Sequence, residues 1–174
     1  MGEITYLAHT GHTLEQRLAQ DVSSLVNRSF KDANKTEAYS TPQESAFLTA
    51  YTAENLRILL PPITTYFAYD GTKLIGTGFL AKGKPGDFQD NGVDAFLYGM
   101  YVDPRYKGQG IGSEILRKLL DEAKKQGIRT VHALATDFPK VVPFYLKHGF
   151  EYFGQRELRF GNERLKFHEI RANL

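Results

Sequence analysis

The chain has 174 residues, no cysteine, and a formal net charge of +2 from 22 basic and 20 acidic residues. That length without a Pro-, Gly- or Ser-rich linker predicts one domain over residues 1–174, and the missing cysteines exclude a disulfide framework and a thiolate zinc site and fit a reducing compartment. Interspersed charges give no nucleic-acid footprint, no secretory pattern or apolar stretch of about 20 residues is present, and Tyr6 breaks a myristoylation motif at Gly2. The expectation is a cytoplasmic protein that contacts neither membrane nor nucleic acid.

Residues 4–8 read as a first strand. Residues 13–16 read as a capping box that launches a helix with Leu14, Leu18, Val22, Leu25 and Val26 inward. A second helix is expected to open on Thr41 as cap, with Pro42 at the first helical position and Glu44 reaching back to the cap. Pro61 and Pro62 should stop any helix that runs so far. The strand-like runs 63–69 and 73–81 meet at Asp70-Gly71, a hairpin signal, and the Gly-, Pro- and Asp-rich stretch 82–92 reads as a loop. The mostly apolar run 95–102 predicts a buried strand, in which Gly99 marks either a bulge or relief of packing between Tyr98 and Tyr101.

The segment VDPRYKGQGIG, residues 102–112, then joins this strand to an amphipathic helix. Gly108, Gly110 and Gly112 lack a Cβ, so the loop can take dihedrals closed to other residues and come close to an anion. Its backbone N–H groups, together with the unpaired donors and positive dipole end of the helix, suit a pyrophosphate. The helix turns Ile111, Ile115, Leu116, Leu119, Leu120 and Ala123 to one face and ends at Gly127. A strand over 130–136 completes a parallel, right-handed strand-helix-strand unit. A short helix over 140–148 ends at Gly149, and the runs 157–160 and 164–170 form a hairpin turning at Gly161-Asn162.

This order of elements, with YVDPRYKGQGIG and about 30 residues later VPFYLKHGF, resembles the GNAT superfamily of acyl-CoA-dependent N-acetyltransferases over residues 95–150. The family's first signature, Gln or Arg, two residues, Gly, one residue, then Gly or Ala, falls on Lys107, Gly110 and Gly112, with lysine replacing the usual cation or amide. The second falls on Phe144, Tyr145, Gly149 and Phe150. The resemblance implies an α/β (α+β) fold: a central mixed, mostly antiparallel twisted sheet, helices on both faces, and a parallel strand pair splayed around an acyl-CoA groove. It also implies acetyl-CoA as co-substrate, no metal, and direct attack by a primary amine of a small molecule or peptide in a ternary complex. A homodimer is compatible with it.

Carried over by position, backbone groups of Met100, Tyr101 and Val102 would pair with the pantetheine arm as with an added strand. Lys107, Gly108, Gln109, Gly110, Ile111, Gly112 and Ser113 would hold the pyrophosphate, and Tyr145 would be the general acid at the departing thiolate. Residues 96–101 offer no acid where many relatives carry a carboxylate, so Asp94 is the nearest catalytic candidate, alongside its reading as a solvated strand-end aspartate. Phe138 stands where relatives often have an Asn that contacts the cofactor. Asp137 reads as a cap for the following helix, His132 as a packed or surface histidine, and His148 as a helix-end residue. Tyr39, Phe47, Tyr51, Phe67, Phe88 and Tyr98 are candidates for the walls of an acceptor groove and equally for core. Glu44, Asp87 and Asp94 are candidates to attract an ammonium. A non-catalytic acyl-CoA sensor or scaffold is the competing class. A dinucleotide-binding domain fails because the glycines begin about six residues after the strand and Ser113 takes the third glycine position.

Overall fold

A computed structural model describes residues 2–11, 13–57, 62–84 and 92–174. Seven strands, β1 (Ile4–His9), β2 (Pro62–Asp70), β3 (Lys73–Lys82), β4 (Asp94–Val102), β5 (Thr130–Thr136), β6 (Glu151–Phe160) and β7 (Glu163–Asn173), form one sheet in the order β1-β2-β3-β4-β5-β7-β6. Every neighbouring pair is antiparallel except β4 and β5. The helices α1 (Gln16–Ala33), α2 (Thr41–Thr49) and α3 (Ala53–Arg57) cover one face, burying Val22, Leu25, Phe30 and Phe47 with Phe67, Phe79, Leu165 and Phe167 of the sheet. On the other face α4 (Ile111–Lys125) buries Ile111, Ile115, Leu116, Leu119 and Ala123 against Ile75, Leu80, Leu97 and Val131, and α5 (Val141–Lys147) adds Tyr145. The expected mixed sheet with helices on both faces is therefore the observed one. Among the described residues no helix is long and apolar enough to cross a membrane.

Two glycines of β3 decide how closely α4 lies on the sheet. A Cβ on Gly76 would stand 2.9 Å from Ile115 Cδ1, and one on Gly78 would stand 2.7 Å from Ile115 Cγ2 and collide with Met100 Sδ. Their bare backbone leaves room for the helix.

The parallel pairing of β4 with β5 is short. It runs from Asp94 opposite Thr130 to Leu97 opposite Ala133 and stops. Beyond that point β4 stays paired to β3 through a bulge, with Thr77 opposite Tyr101 and Phe79 opposite Tyr98, so that Gly99 and Met100 share the place facing Gly78. Gly99 has φ of +62°, and a Cβ there would strike Phe79 Cδ2. The bulge reading of Gly99 holds, and the extra twist of a bulged strand accounts for the divergence of β4 from β5.

The helix starts differ from expectation. α1 is capped by Glu15 without a side-chain hydrogen bond, so the box over 13–16 does not form. Leu14 is instead buried just ahead of the helix in the same cluster as Ala19, which fixes the entry angle by apolar contact. α2 is capped by Ser40 in place of Thr41, and Gln43 closes the box. Glu44 accepts from Asn34 Nδ2 at 2.8 Å instead of bonding the cap. The β2–β3 turn is Gly71-Thr72, since Asp70 is still paired with Lys73. β6 begins at Glu151, six residues before the expected strand. Pro61, Phe88, Asp87 and most of the 82–92 loop lie outside the described residues.

Candidate functional site

The upper end of β4 runs into a loop organised by a buried carboxylate. Asp103 is 0% exposed. It accepts from the Arg105 amide at 3.1 Å and forms ion pairs with Arg105 at 2.8 Å, Arg28 of α1 at 2.9 Å and Lys73 of β3 at 3.6 Å. Arg105 first, then Arg28, hold its carboxyl well below the ordinary carboxylate range against the opposing effect of burial. Its own N–H donates to the Ile75 carbonyl at 2.8 Å, so the loop leaves the sheet at a fixed point.

Gly108 and Gly110 both take φ of +79°, and a Cβ on either would meet nothing within 4 Å. Glycine is thus used for the left-handed backbone and for open space above it. Gly110 is also the N-cap of α4, with no side-chain cap bond, so the N–H groups of the first turn, Ile111 to Ser113, keep their anion-binding capacity. Gly112 is a correction to the three-glycine reading. It lies within α4 in helical backbone, where a Cβ would make ordinary contact with Val102 Cγ2 at 3.5 Å and Phe144 Cζ at 3.7 Å. Lys107 leads into the loop in extended conformation, and its ammonium is bound to Asp32 of α1 at 2.7 Å. Asp32 also binds Lys35 at 2.7 Å, and the two hydrogen bonds, that from Lys107 the larger, hold its carboxyl at about 2.

Between the last paired residues, Leu97 and Ala133, and this loop, β4 runs on without pairing to β5. Met100 and Val102 pack toward α4, whereas Tyr98 and Tyr101 pack with the α1–α3 side. Ser29 of α1 donates to the Val102 carbonyl at 3.0 Å, which leaves that oxygen one further lone pair. Tyr145 of α5 packs on the α4 side of the sheet. It is 7% exposed, packed edge-on against Phe144 and Phe150 at 5.1 and 5.2 Å, and both the His148 and Phe150 amides donate to its carbonyl. Burial, with a smaller contribution from Tyr51, pushes its phenol well above the ordinary value.

The structure places Met100, Tyr101 and Val102 on the stretch of β4 beyond its pairing with β5 and just before the glycine loop, and it sets Phe144, the neighbour of Tyr145 on α5, beside Gly112 and Val102. Asp94 stands at the other end of β4, three positions before the last pair. It is buried, bonded to His132 Nε2 at 3.0 Å and 3.6 Å from Lys84 Nζ. Asp137 does not cap α5, whose N-cap is Lys140; it binds Lys166 at 2.7 Å and His168 at 2.6 Å. Phe138 fills core between Phe30 and Tyr39. His148 is the C-cap of α5 and donates from Nδ1 to the Phe144 carbonyl at 2.7 Å.

Of the candidate groove walls, Phe47 and Phe67 are core, and the Tyr39 hydroxyl is spent on structure. It donates to the Lys166 carbonyl and accepts from the Asp137 amide, each at 2.8 Å. Tyr51 and Tyr98 remain half-buried, Tyr51 edge-on to Tyr101 and Tyr98 stacked on Phe79 and Phe96. The residues unread in the sequence are Arg28, Asp32 and Asp103, each tied to a partner far along the chain.

The sequence profile of the Acetyltransferase (GNAT) family matches residues 21–150. The uncharacterized N-acetyltransferase ycf52 of Pyropia yezoensis is 33% identical over 61 residues, 35% of this chain and 34% of that protein. The chain thus spans about a third of the length of that curated relative. A structure described as a GCN5-related N-acetyltransferase, aminotransferase class-II, from Rhodopseudomonas palustris matches with a TM-score of 0.76 at 18% identity, covering 98% of this chain and 96% of that one. The PaiA N-acetyltransferase from Thermoplasma acidophilum, in complex with coenzyme A, matches with a TM-score of 0.72 at 17% identity over 98% and 99% of the two chains. The structural likenesses show the fold. The profile match takes in both the glycine loop and the α5 tyrosine, and the chain belongs to the GNAT acetyltransferase family.

Proposed function

We propose that the protein is a cytoplasmic N-acetyltransferase that moves the acetyl group of acetyl-CoA to a primary amine by direct attack in a ternary complex. The observation that carries this reading is the early end of the β4–β5 pairing, at Leu97 and Ala133, together with an uncapped α4 N-terminus whose two preceding left-handed glycines have open space above them. Backbone groups of Met100, Tyr101 and Val102 hold the pantetheine arm. The N–H groups from Gly108 through Gln109 and Gly110 to Ile111, Gly112 and Ser113 receive the pyrophosphate, and Lys107 adds charge there once it shares or leaves Asp32. Coenzyme A bound to a structure of the same fold supports the assignment. Calorimetry should detect CoA and acetyl-CoA binding, and Gly110→Val, which puts a branched side chain on a left-handed residue facing the anion, should abolish or strongly weaken it. Unchanged affinity in a folded Gly110→Val protein would sink the cradle.

No acid lies on β4 between Phe96 and Tyr101, and this limits the acceptor. An amine of pKa near 10.4 is neutral at pH 7 only at about 4.6 kcal/mol, against about 1 kcal/mol for an α-amine near 7.7. The acceptor is therefore an amine of low pKa, or one whose ammonium proton leaves through water toward the Asp94–His132 pair. For a true substrate kcat/KM should rise with pH along a limb that follows the acceptor's own pKa. A limb that stays in place when the acceptor is exchanged for one of different pKa would reveal a protein base instead.

A further inference from the structure

β6 is the last strand of the sheet, and no described residue pairs with its outer edge. It is 10 residues long, contains neither Pro nor Lys, and is exposed over most of its length. Such an edge offers a row of backbone N–H and C=O groups to another chain. Three of the five large apolar side chains exposed among the described residues belong to this region: Phe153 at 62% and Tyr152 at 49% on β6, and Leu146 at 45% on α5, which packs beside it. In the second half of the strand, Arg156 stands opposite Phe167 and Leu158 opposite Leu165 on the face that α1–α3 cover, so Glu157 and Arg159 project from the other face. Within its own chain Glu157 makes a long ion pair, 3.8 Å, with the exposed Arg164. Arg159 spends Nε on the Gly161 carbonyl at 2.8 Å, which leaves its two Nη groups for a carboxylate.

These charges select a second copy of the same strand. When two copies pair antiparallel about a two-fold axis, the residue on the axis faces itself and its neighbours exchange. An axis at Arg156, Glu157 or Arg159 sets like charges face to face, and one at Gln155 leaves Glu157 opposite the register shift at Phe153. An axis at Leu158 satisfies both signs. Glu157 then faces the partner's Arg159, and Arg159 faces the partner's Glu157. On the other face Leu158 meets the partner's Leu158, and Arg156 meets the partner's Phe160. We propose that the protein is a dimer joined edge to edge through β6, antiparallel about Leu158, so that two seven-stranded sheets run on as one. The partner's Gly161 and the partner's Asn162 come opposite Gln155 and Gly154, beside the exposed Phe153. β1, the opposite edge, has six residues and no Asp, Glu, Lys or Arg to answer Glu157 or Arg159, so pairing β1 to β6 in an open chain lacks this match. The dimer holds whether or not the chain transfers acetyl groups.

The chain has no cysteine, so a single introduced thiol reports the register. Leu158→Cys puts two thiols at the axis on Cα atoms about 4.5–5.5 Å apart, within disulfide range, and mild oxidation should yield covalent dimers. Gln155→Cys, whose two thiols would lie about 20 Å apart, should yield almost none. In sedimentation velocity over a dilution series the wild type should dimerise reversibly. Glu157→Arg and Arg159→Glu should each weaken association about 10-fold or more, and the two combined should restore it to within about 3-fold of the wild type. A wild type that stays monomeric throughout, equal cross-linking at 155 and 158, single reversals without effect, or a combined variant no better than either single one would each overturn the interface.

Discussion

Replacing Tyr145 by phenylalanine is expected to lower turnover by about 10² to 10⁴ while CoA affinity changes only a few-fold, the range for loss of a general acid. The ring remains to fill its place against Phe144 and Phe150, so the substitution removes the hydroxyl and little packing. With ordinary values of about 10 for the phenol and 8.5 for a thiol, full transfer from Tyr145 to the thiolate is uphill by about 2 kcal/mol. Burial moves Tyr145 in the direction that enlarges this gap. A hydrogen bond to the forming thiolate, short of full proton transfer, is the chemistry such a group can supply. It also stays protonated where an unburied tyrosine would ionise, so the variant's deficit should persist above about pH 10. Single-turnover kinetics across pH check both points, and an unaltered turnover in Tyr145→Phe would reduce this residue to packing.

The largest expected effect on stability is at Asp103. Removing a buried, paired carboxylate typically costs about 3–5 kcal/mol because the partner charges are stranded. Here Arg28, Lys73 and Arg105 are partly exposed and regain water, so Asp103→Ala should cost about 2–4 kcal/mol, including the lost bond to the Arg105 amide. The pH dependence follows from the lowered carboxyl. Its stabilisation is complete above the unfolded value of about 3.9 and disappears as pH falls from there through the depressed folded value. Urea midpoints should thus fall more steeply for the wild type than for Asp103→Asn between about pH 5 and pH 2. Parallel curves would mean that the carboxylate contributes nothing through its charge.

The glycine loop was legible because its requirement is local: left-handed backbone at Gly108 and Gly110 and a helix start without a capping side chain leave a mark in adjacent residues. The α5 tyrosine was legible for the same reason. The strands of the sheet centre showed through their apolar runs, but the first half of β6 did not. β6 is an edge strand with almost no buried side to alternate, and the register shift at Phe153, whose ring lies 4.3 Å from the Arg171 guanidinium, breaks the pattern further. The cap of α2 was displaced by one residue because Ser40 and Thr41 are adjacent and both able to cap. The electrostatic frame of the loop was illegible for a different reason. Arg28 meets Asp103, and Asp32 meets Lys107, across 75 positions of sequence in each case, and no periodicity records such a meeting. The bond that commits the Tyr39 hydroxyl to Lys166 is more distant still, which is why this tyrosine read equally as core and as groove wall.

On the proposed reading, the end of the β4–β5 pairing and the Tyr145 phenol serve acetyl transfer, whereas a sensor or scaffold would need only the cradle. Incubation of the purified chain with acetyl-CoA and a panel of primary amines spanning low and high pKa, read by mass spectrometry for acetylated amine and by a thiol reagent for CoA, separates the two most directly. The account predicts at least one amine acetylated in equal yield with thiol released, at a rate that Tyr145→Phe suppresses. Tight acetyl-CoA binding without acetylation of any amine in the panel would contradict it.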